Sequence, residues 1–477
     1  MLHNLGLLSE TYFLVPIVAI TAWAISIRIF PVIIYVVQKK NLMDDPGERS
    51  SHSQKTPTLG GVGMFLAFCI TLMLFGIFLE FSNADLIKLI SIVATTTILL
   101  FLGIKDDLIV LAPKKKFMGQ IFSAGIVILL TDIRITGFGG MLGVWEMPYW
   151  VSVLFSLFVF IVIINAFNLT DGIDGLAGSL ATLASLIFGV FFLVNGNLLL
   201  AVTSFALIGA ILGFLVFNFA KRDKLFMGDS GSLFLGYLLA YQGMSFIMVN
   251  HEPFAAFTMP HAPTALLAVL SYPIIDSLRV FTIRLIENRS PFSPDRNHIH
   301  HRFIARGFSH IQATAAIILS NILLVAAIWL INDWNPTLQL VIGFVLGSLL
   351  YKYPFLIPER RESAPGVAPI PVKRPQAADA RPLPVTEPVA ERYTYSETKE
   401  LQQKRTHVFA EAKRRFVVHR TRQEPEKPAD EYPDSRERQG ESRAGGKVPA
   451  AAHENGQPAP ERSGWARSPD YPRRKTE

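Results

Sequence analysis

Cysteine is almost missing from this chain. Cys69 is the only one among 477 residues, so an intramolecular disulfide is excluded. It lies inside an apolar run with no base near it in sequence, which argues for packing rather than nucleophilic catalysis. Zinc-type thiolate pairs are absent with it, and so is any His-Glu-x-x-His segment. The opening stretch lacks a basic leading region and a small-residue cleavage site, and its apolar run exceeds the core of a signal peptide. It therefore reads as a first membrane helix. Charge is scarce over long stretches before about residue 355, which excludes a soluble catalytic core.

What is present is apolar sequence: half the residues are hydrophobic. With a span of roughly 20 residues as the ruler, about eleven candidates emerge, near 11–38, 58–79, 86–104, 118–131, 149–167, 176–194, 200–220, 231–249, 264–284, 311–330 and 337–355. The loops between them divide by charge. One set carries Lys39, Lys40, Arg49 and Lys55, then Lys105 and Lys114 to Lys116, then Lys221, Arg222 and Lys224, then Arg289, Arg296, Arg302 and Arg306. The alternate set has no lysine or arginine except Arg134. Basic loops face the cytoplasm, so an odd number of spans places the N-terminus outside and the C-terminus inside. The formal charge of +7 is accounted for by these loops and a basic tail near anionic lipid, without nucleic acid.

The expected architecture is all-α: a polytopic transmembrane helix bundle of about 11 spans, with cytoplasmic active-site loops and a disordered C-terminal tail. The catalytic membrane domain covers 1–357. Residues 358–477 are rich in Pro, Arg, Glu and Ala and cannot bury enough surface to offset chain ordering. A helix near 398–418, bearing Lys404, Arg405 and Lys413 to Arg415, is a candidate for contact with anionic lipid.

The unusual polar residues all fall in the basic loop set. Gly103-Ile104-Lys105-Asp106-Asp107-Leu108 ends the third span. Two adjacent carboxylates repel, so they are either solvated residues that end a helix or partners of a divalent ion shared with substrate phosphates. In Asn165-Ala166-Phe167-Asn168-Leu169-Thr170-Asp171-Gly172-Ile173-Asp174-Gly175, two amides and two acids recur every three residues and would form one polar strip on helical backbone. Such a strip is costly between apolar spans without a ligand or a water-filled cleft. Asp229 in Phe226-Met227-Gly228-Asp229-Ser230-Gly231-Ser232-Leu233 either caps the next helix or adds an oxygen ligand. His298, His300 and His301 lie in Ser290-Pro291-Phe292-Ser293-Pro294-Asp295-Arg296-Asn297-His298-Ile299-His300-His301-Arg302-Phe303. Without thiolates they fit phosphate contact better than zinc, with Arg296 or Arg302 as a guanidinium fork.

These four motifs, in this order on this membrane pattern, resemble the polyprenyl-phosphate N-acetylhexosamine-1-phosphate transferase family over most of residues 11–355. The last motif resembles its bacterial undecaprenyl-phosphate GlcNAc-1-phosphate transferase branch. The resemblance implies transfer of GlcNAc-1-phosphate from UDP-GlcNAc to undecaprenyl phosphate with release of UMP. It places the chain in a bacterial inner membrane, as the first membrane step of a cell-envelope polysaccharide. It implies Mg2+, with Mn2+ as a substitute, held by Asp229, Asp107 and Asp174. Asp106, Asp107, Asp229, His298 and His301 are the catalytic candidates. Lys55, Asn165, Asn168, Asp171, Asp174, Arg296, His300 and Arg302 are the substrate-binding ones. Expected partners are a UDP-N-acetylhexosamine, the lipid phosphate and a second copy of the chain, with envelope-synthesis proteins or lipid for the tail. The competing reading is a membrane transporter, which predicts internal repeats and mid-span charges; the acids cluster at one face instead.

Overall fold

The computed structural model describes residues 11–40, 43–44, 56–79, 81–109, 111–252, 255–290 and 297–356. Lys55, Arg296, residues 1–10 and the tail 358–477 lie outside the described residues.

Long runs of Leu, Ile, Val, Phe and Ala give helices because neither water nor lipid offers their backbone a better partner than itself. In chain order they are α1 (Thr11–Lys40), α2 (Gly60–Phe78), α3 (Asn83–Ile109), α4 (Pro113–Thr131), α5 (Tyr149–Thr170), α6 (Leu176–Val194) and α7 (Leu198–Asn218). Then follow α8 (Gly228–Asn250), α9 (Ala262–Val269), α10 (Ser271–Ile286), α11 (Ile299–Ala305), α12 (His310–Leu330) and α13 (Pro336–Leu356). The short strands β1 (Met43–Asp44) and β2 (Thr56–Pro57) pair antiparallel.

A helix stands at each of the eleven expected positions. Among the described residues, eight are long and apolar enough to cross a membrane, or nine if α9 and α10 together count as one span. The chain is thus a multi-span membrane protein. α4 falls short because Lys114, Lys115 and Lys116 occupy its opening turns, and the apolar part of α13, Pro336–Lys352, is short.

The hub is α8, buried along nearly its whole length and packed by α2, α3, α5, α6 and α9. Within it, the Tyr237 hydroxyl meets Thr95 Oγ1 of α3 at 2.6 Å. α1 lies on α7 and α2, and Ser26 donates to the Ala210 carbonyl at 2.9 Å across that contact.

The expectation of one continuous span over 264–284 needs correction: α9 and α10 meet at a bend of 75°. Pro273, near the start of α10, has no N–H for the preceding turn and its ring crowds that turn. Asn321 of α12 makes the break tolerable. Its amide donates to the Ala268 carbonyl at 3.2 Å, to Ser271 Oγ at 2.8 Å and to the Tyr351 hydroxyl at 3.2 Å. Replacing Asn321 by Leu strips the donor from these buried oxygens, at a cost of ~1–3 kcal/mol. A lower melting temperature of the purified protein is the expected outcome, and an unchanged one would remove Asn321 from this role.

Candidate active site

Four helix ends, those of α2, α3, α4 and α5, converge on the start of α8. Gly103 of α3 and Gly61 of α2 permit this: a Cβ on Gly103 would lie 2.3 Å from the Ser230 Cα, and one on Gly61 would lie 2.1 Å from the Gly231 nitrogen. At this distance Asp107 reaches the first turn of α8. Its Oδ1 accepts from the Asp229 N–H at 2.7 Å and its Oδ2 from the Ser230 N–H at 3.1 Å. A carboxylate there satisfies orphan donors and opposes the positive end of the helix dipole. Asp107 therefore acts as a cap supplied by another helix.

Asp229, held by that turn, accepts through Oδ1 from the Asn168 amide. The same amide donates to Ser232 Oγ at 2.8 Å. Lys116 Nζ sits 3.2 Å from Asp229 Oδ1, 2.9 Å from Asp106 Oδ2 and 3.4 Å from Asn168 Oδ1. Asp106 also accepts from the Leu111 N–H at 2.6 Å and contacts the Asp229 carboxyl. Lys116 thus bridges two motifs far apart in sequence. Reading Lys114 to Lys116 as a loop charge cluster overlooked it, although helical phase marks it. Lys116 shares a face of α4 with the buried Gln120, Ser123 and Val127, whereas Lys114 and Lys115 are exposed.

The expected polar strip is divided, because α5 ends at Thr170. Asn165 donates to Gln120 Oε1 at 2.7 Å, an amide clasp between α5 and α4. Asn168 serves Asp229. Asp174 Oδ2 receives Lys224 Nζ at 2.6 Å and His310 Nδ1 at 2.7 Å. Burial alone would raise the Asp174 carboxyl, but the hydrogen bonds and charges of His310 and Lys224 outweigh it and hold it below the usual range. Asp171 is the opposite case. Among the described residues no donor or cation is paired with it, and burial first, then the charges of Asp229, Asp107 and Asp174, push it up to about 7. Within one turn, Asp174 is a neutralised tie to α12 and Asp171 is an uncompensated acid.

The histidines sit on the start of α11. His300 is buried, its Nδ1 3.2 Å from the Tyr272 hydroxyl. Its ring lies on Gly172, where a Cβ would come within 2.1 Å of Nε2. Burial, followed by the charges of His301, His298 and His310, holds its pKa well below the ordinary value, so it is a neutral hydrogen-bonding group. His298 stacks on His300 at 5.5 Å, and His301 lies 4.3 Å from His300. His298 Nδ1 meets Asp276 Oδ2 at 2.9 Å. Arg302 donates to Asn297 Oδ1 at 3.0 Å. Asp276, Tyr272, His310 and Lys224 were not among the expected site residues. Each acts across helices, which local motif reading does not see.

As a cation site, the acids fit in part. Asp107 holds a donor on each carboxylate oxygen, whereas Asp174 and Asp229 each hold donors on one oxygen, Oδ2 and Oδ1 respectively, and no group of three or more His, Cys, Asp or Glu surrounds one point among the described residues. Asp171 is the orphaned carboxylate, with Asp229 among the charges acting on it. Two carboxylates with the remaining positions left to phosphate and water suit magnesium.

The sequence profile described as Glycosyl transferase family 4 matches residues 89–247. The undecaprenyl-phosphate alpha-N-acetylglucosaminyl 1-phosphate transferase of Escherichia coli O157:H7 is 30% identical over 327 residues, 67% of this chain and 84% of the relative. The protein of the same name from Salmonella typhi is 29% identical over 343 residues, 69% and 89% of the two chains. That from Yersinia pestis is 29% identical over 327 residues, 67% and 85%.

The raised Asp171 has a pH signature. The folded state binds its proton more tightly than the unfolded chain, so stability is lost as pH rises from the ordinary carboxylate range toward 7. In chelator, Asp171→Asn is expected to flatten this decline and to raise the melting temperature at pH 8 by roughly 2–4 °C for each ~1 kcal/mol relieved. Parallel wild-type and variant curves across that range would refute the uncompensated charge.

Proposed function

Because the chain belongs to the polyprenyl-phosphate sugar-1-phosphate transferase family, glycosyl transferase family 4, we propose that it transfers N-acetylglucosamine-1-phosphate from UDP-GlcNAc to undecaprenyl phosphate. The setting is the cytoplasmic face of a bacterial inner membrane, with the N-terminus periplasmic, and the product opens the assembly of a cell-envelope polysaccharide. The observation that carries this reading is the convergence of Asp106, Asp107, Asn168, Lys116 and Asp229 at one end of the bundle, beside the turn that holds Asp171 and receives His300. These groups handle phosphate at a membrane surface. The basic loops on that end support the sidedness.

In the reaction, an oxygen of the lipid phosphate attacks the sugar-bearing phosphorus of the donor. The bond from that phosphorus to the bridging oxygen breaks, and UMP leaves with the electron pair. A phosphate anion needs no covalent activation, so catalysis rests on in-line positioning and charge neutralisation. Lys116 offsets Asp106 and Asp229 and is the cation closest to them, placed to receive a phosphate oxygen. Asn168 orients Asp229, and Asp107 keeps the amino end of α8 in place. The neutral His300 offers a donor to the diphosphate without the cost of an additional buried charge, beside His298, His301 and the guanidinium of Arg302. A magnesium ion, with Asp229 and Asp171 as its protein ligands, would supply compensation for the phosphates.

The test is to incubate purified protein with undecaprenyl phosphate, Mg2+ and a panel of UDP-sugars, following UMP and lipid-linked sugar. UDP-GlcNAc is expected to react best. Preference for another UDP-N-acetylhexosamine would move the substrate assignment, and no product from any of them would end the transferase reading for this chain. Asp229→Asn and Lys116→Met are each expected to lower turnover about 100-fold or more while the protein remains membrane-inserted. Wild-type turnover in either would remove that residue from the site.

A further inference from the structure

Tyr272, Asp276 and Arg279 stand at i, i+4 and i+7 on α10 and so share one face of the helix. Each holds a neighbouring residue of the histidine segment. The Tyr272 hydroxyl meets His300 Nδ1 at 3.2 Å, Asp276 Oδ2 meets His298 Nδ1 at 2.9 Å, and Arg279 Nη1 donates to the Asn297 carbonyl at 2.6 Å. Asp276 makes a second bond, its Oδ1 accepting from the Ile299 N–H at 2.9 Å. That contact caps α11, whose own N-cap residue, His298, provides no side-chain cap.

Asp276 is 2% exposed and His298 5%. A carboxylate this buried requires donors on both oxygens. The Ile299 N–H alone would meet the need for a cap, yet the second oxygen is aimed at an imidazole nitrogen. Such a contact sets which ring nitrogen carries the proton and stops rotation of the ring.

We infer that Asp276 is a positioning residue for the sugar-phosphate transfer: by accepting the Nδ1–H of His298 it fixes the tautomer and orientation of that ring, leaving Nε2 as the nitrogen presented to the donor diphosphate. The inference rests on the transferase reading above. Tyr272 and Arg279 set the register on either side, so α10 serves as a template against which the histidine segment is laid.

The experiment uses the full chain in detergent or nanodiscs, with Asp276→Asn, His298→Gln and the double variant. Asparagine keeps an oxygen for the Ile299 N–H but turns an NH2 toward His298 Nδ1, which must then accept. Nitrogen-15 spectra of labelled histidine, with His298 assigned from the His298→Gln difference, report the proton directly. Nδ1 is expected to carry it in the wild type and to lose it in Asp276→Asn. The single variant should keep its melting temperature within a few degrees and lose ~10–100-fold in kcat, with a much smaller change in KM for the UDP-sugar. The double variant should be no slower than His298→Gln, since Asp276 acts through that ring.

An unprotonated Nδ1 in the wild type overturns the inference, as does full kcat in Asp276→Asn or independent, multiplying losses in the double variant. If the variant does not fold, the wild-type spectrum still decides the contact. If the wild type transfers no sugar phosphate at all, the functional reading fails, and the spectra alone judge the Asp276 and His298 pairing.

Discussion

The amino end of α8 is capped from outside, by a carboxylate on α3. α8 is the most enclosed of the membrane-length helices, and an unpartnered donor in its first turn would be expensive. Asp107 takes two of them, and the close approach at Gly103 and Gly61 makes its reach sufficient. Adjacent residues on a helix point in different directions. With Asp107 committed to α8, Asp106 turns toward Lys116. The acidic pair is therefore two residues with two sets of partners, one bound to the start of α8 and the other to Lys116 of α4.

The membrane class and the four polar motifs were legible because each depends on local pattern: long apolar runs, neighbouring acids, glycine-flanked turns and clustered histidines. What escaped depends on pairs brought together by packing. Lys116 was readable in principle from the phase of α4, since the same face carries Gln120. Asp276 stands in an apolar stretch outside all four motifs, and its contacts with His298 and the Ile299 N–H give it meaning. The break after α9 escaped because the apolar composition runs on unbroken past Pro273, while its stabilising partner, Asn321, lies about fifty residues onward.

Charge is distributed over the site with little duplication. Asp174 is tied off by Lys224 and His310, so it anchors the 171–175 turn to α12. Asp171, three residues earlier, keeps an unshared charge that resists ionisation. His300, against the same turn, is held neutral by burial and its neighbours. A site built this way separates the groups that hold shape from those left to respond to a ligand. That separation follows from which side chains found partners across helices.

The elbow between α9 and α10 bears on mechanical coupling to the bilayer. A straight helix hands any axial push from one leaflet directly to whatever is attached at its far end. Across a bend of 75°, only about a quarter of an axial displacement of α9 projects onto the axis of α10. Membranes differ in thickness, and helices adjust by tilting and sliding. The segment whose face carries Tyr272, Asp276 and Arg279 therefore meets a push along α9 almost side-on, with α5, α12 and α13 packed against it.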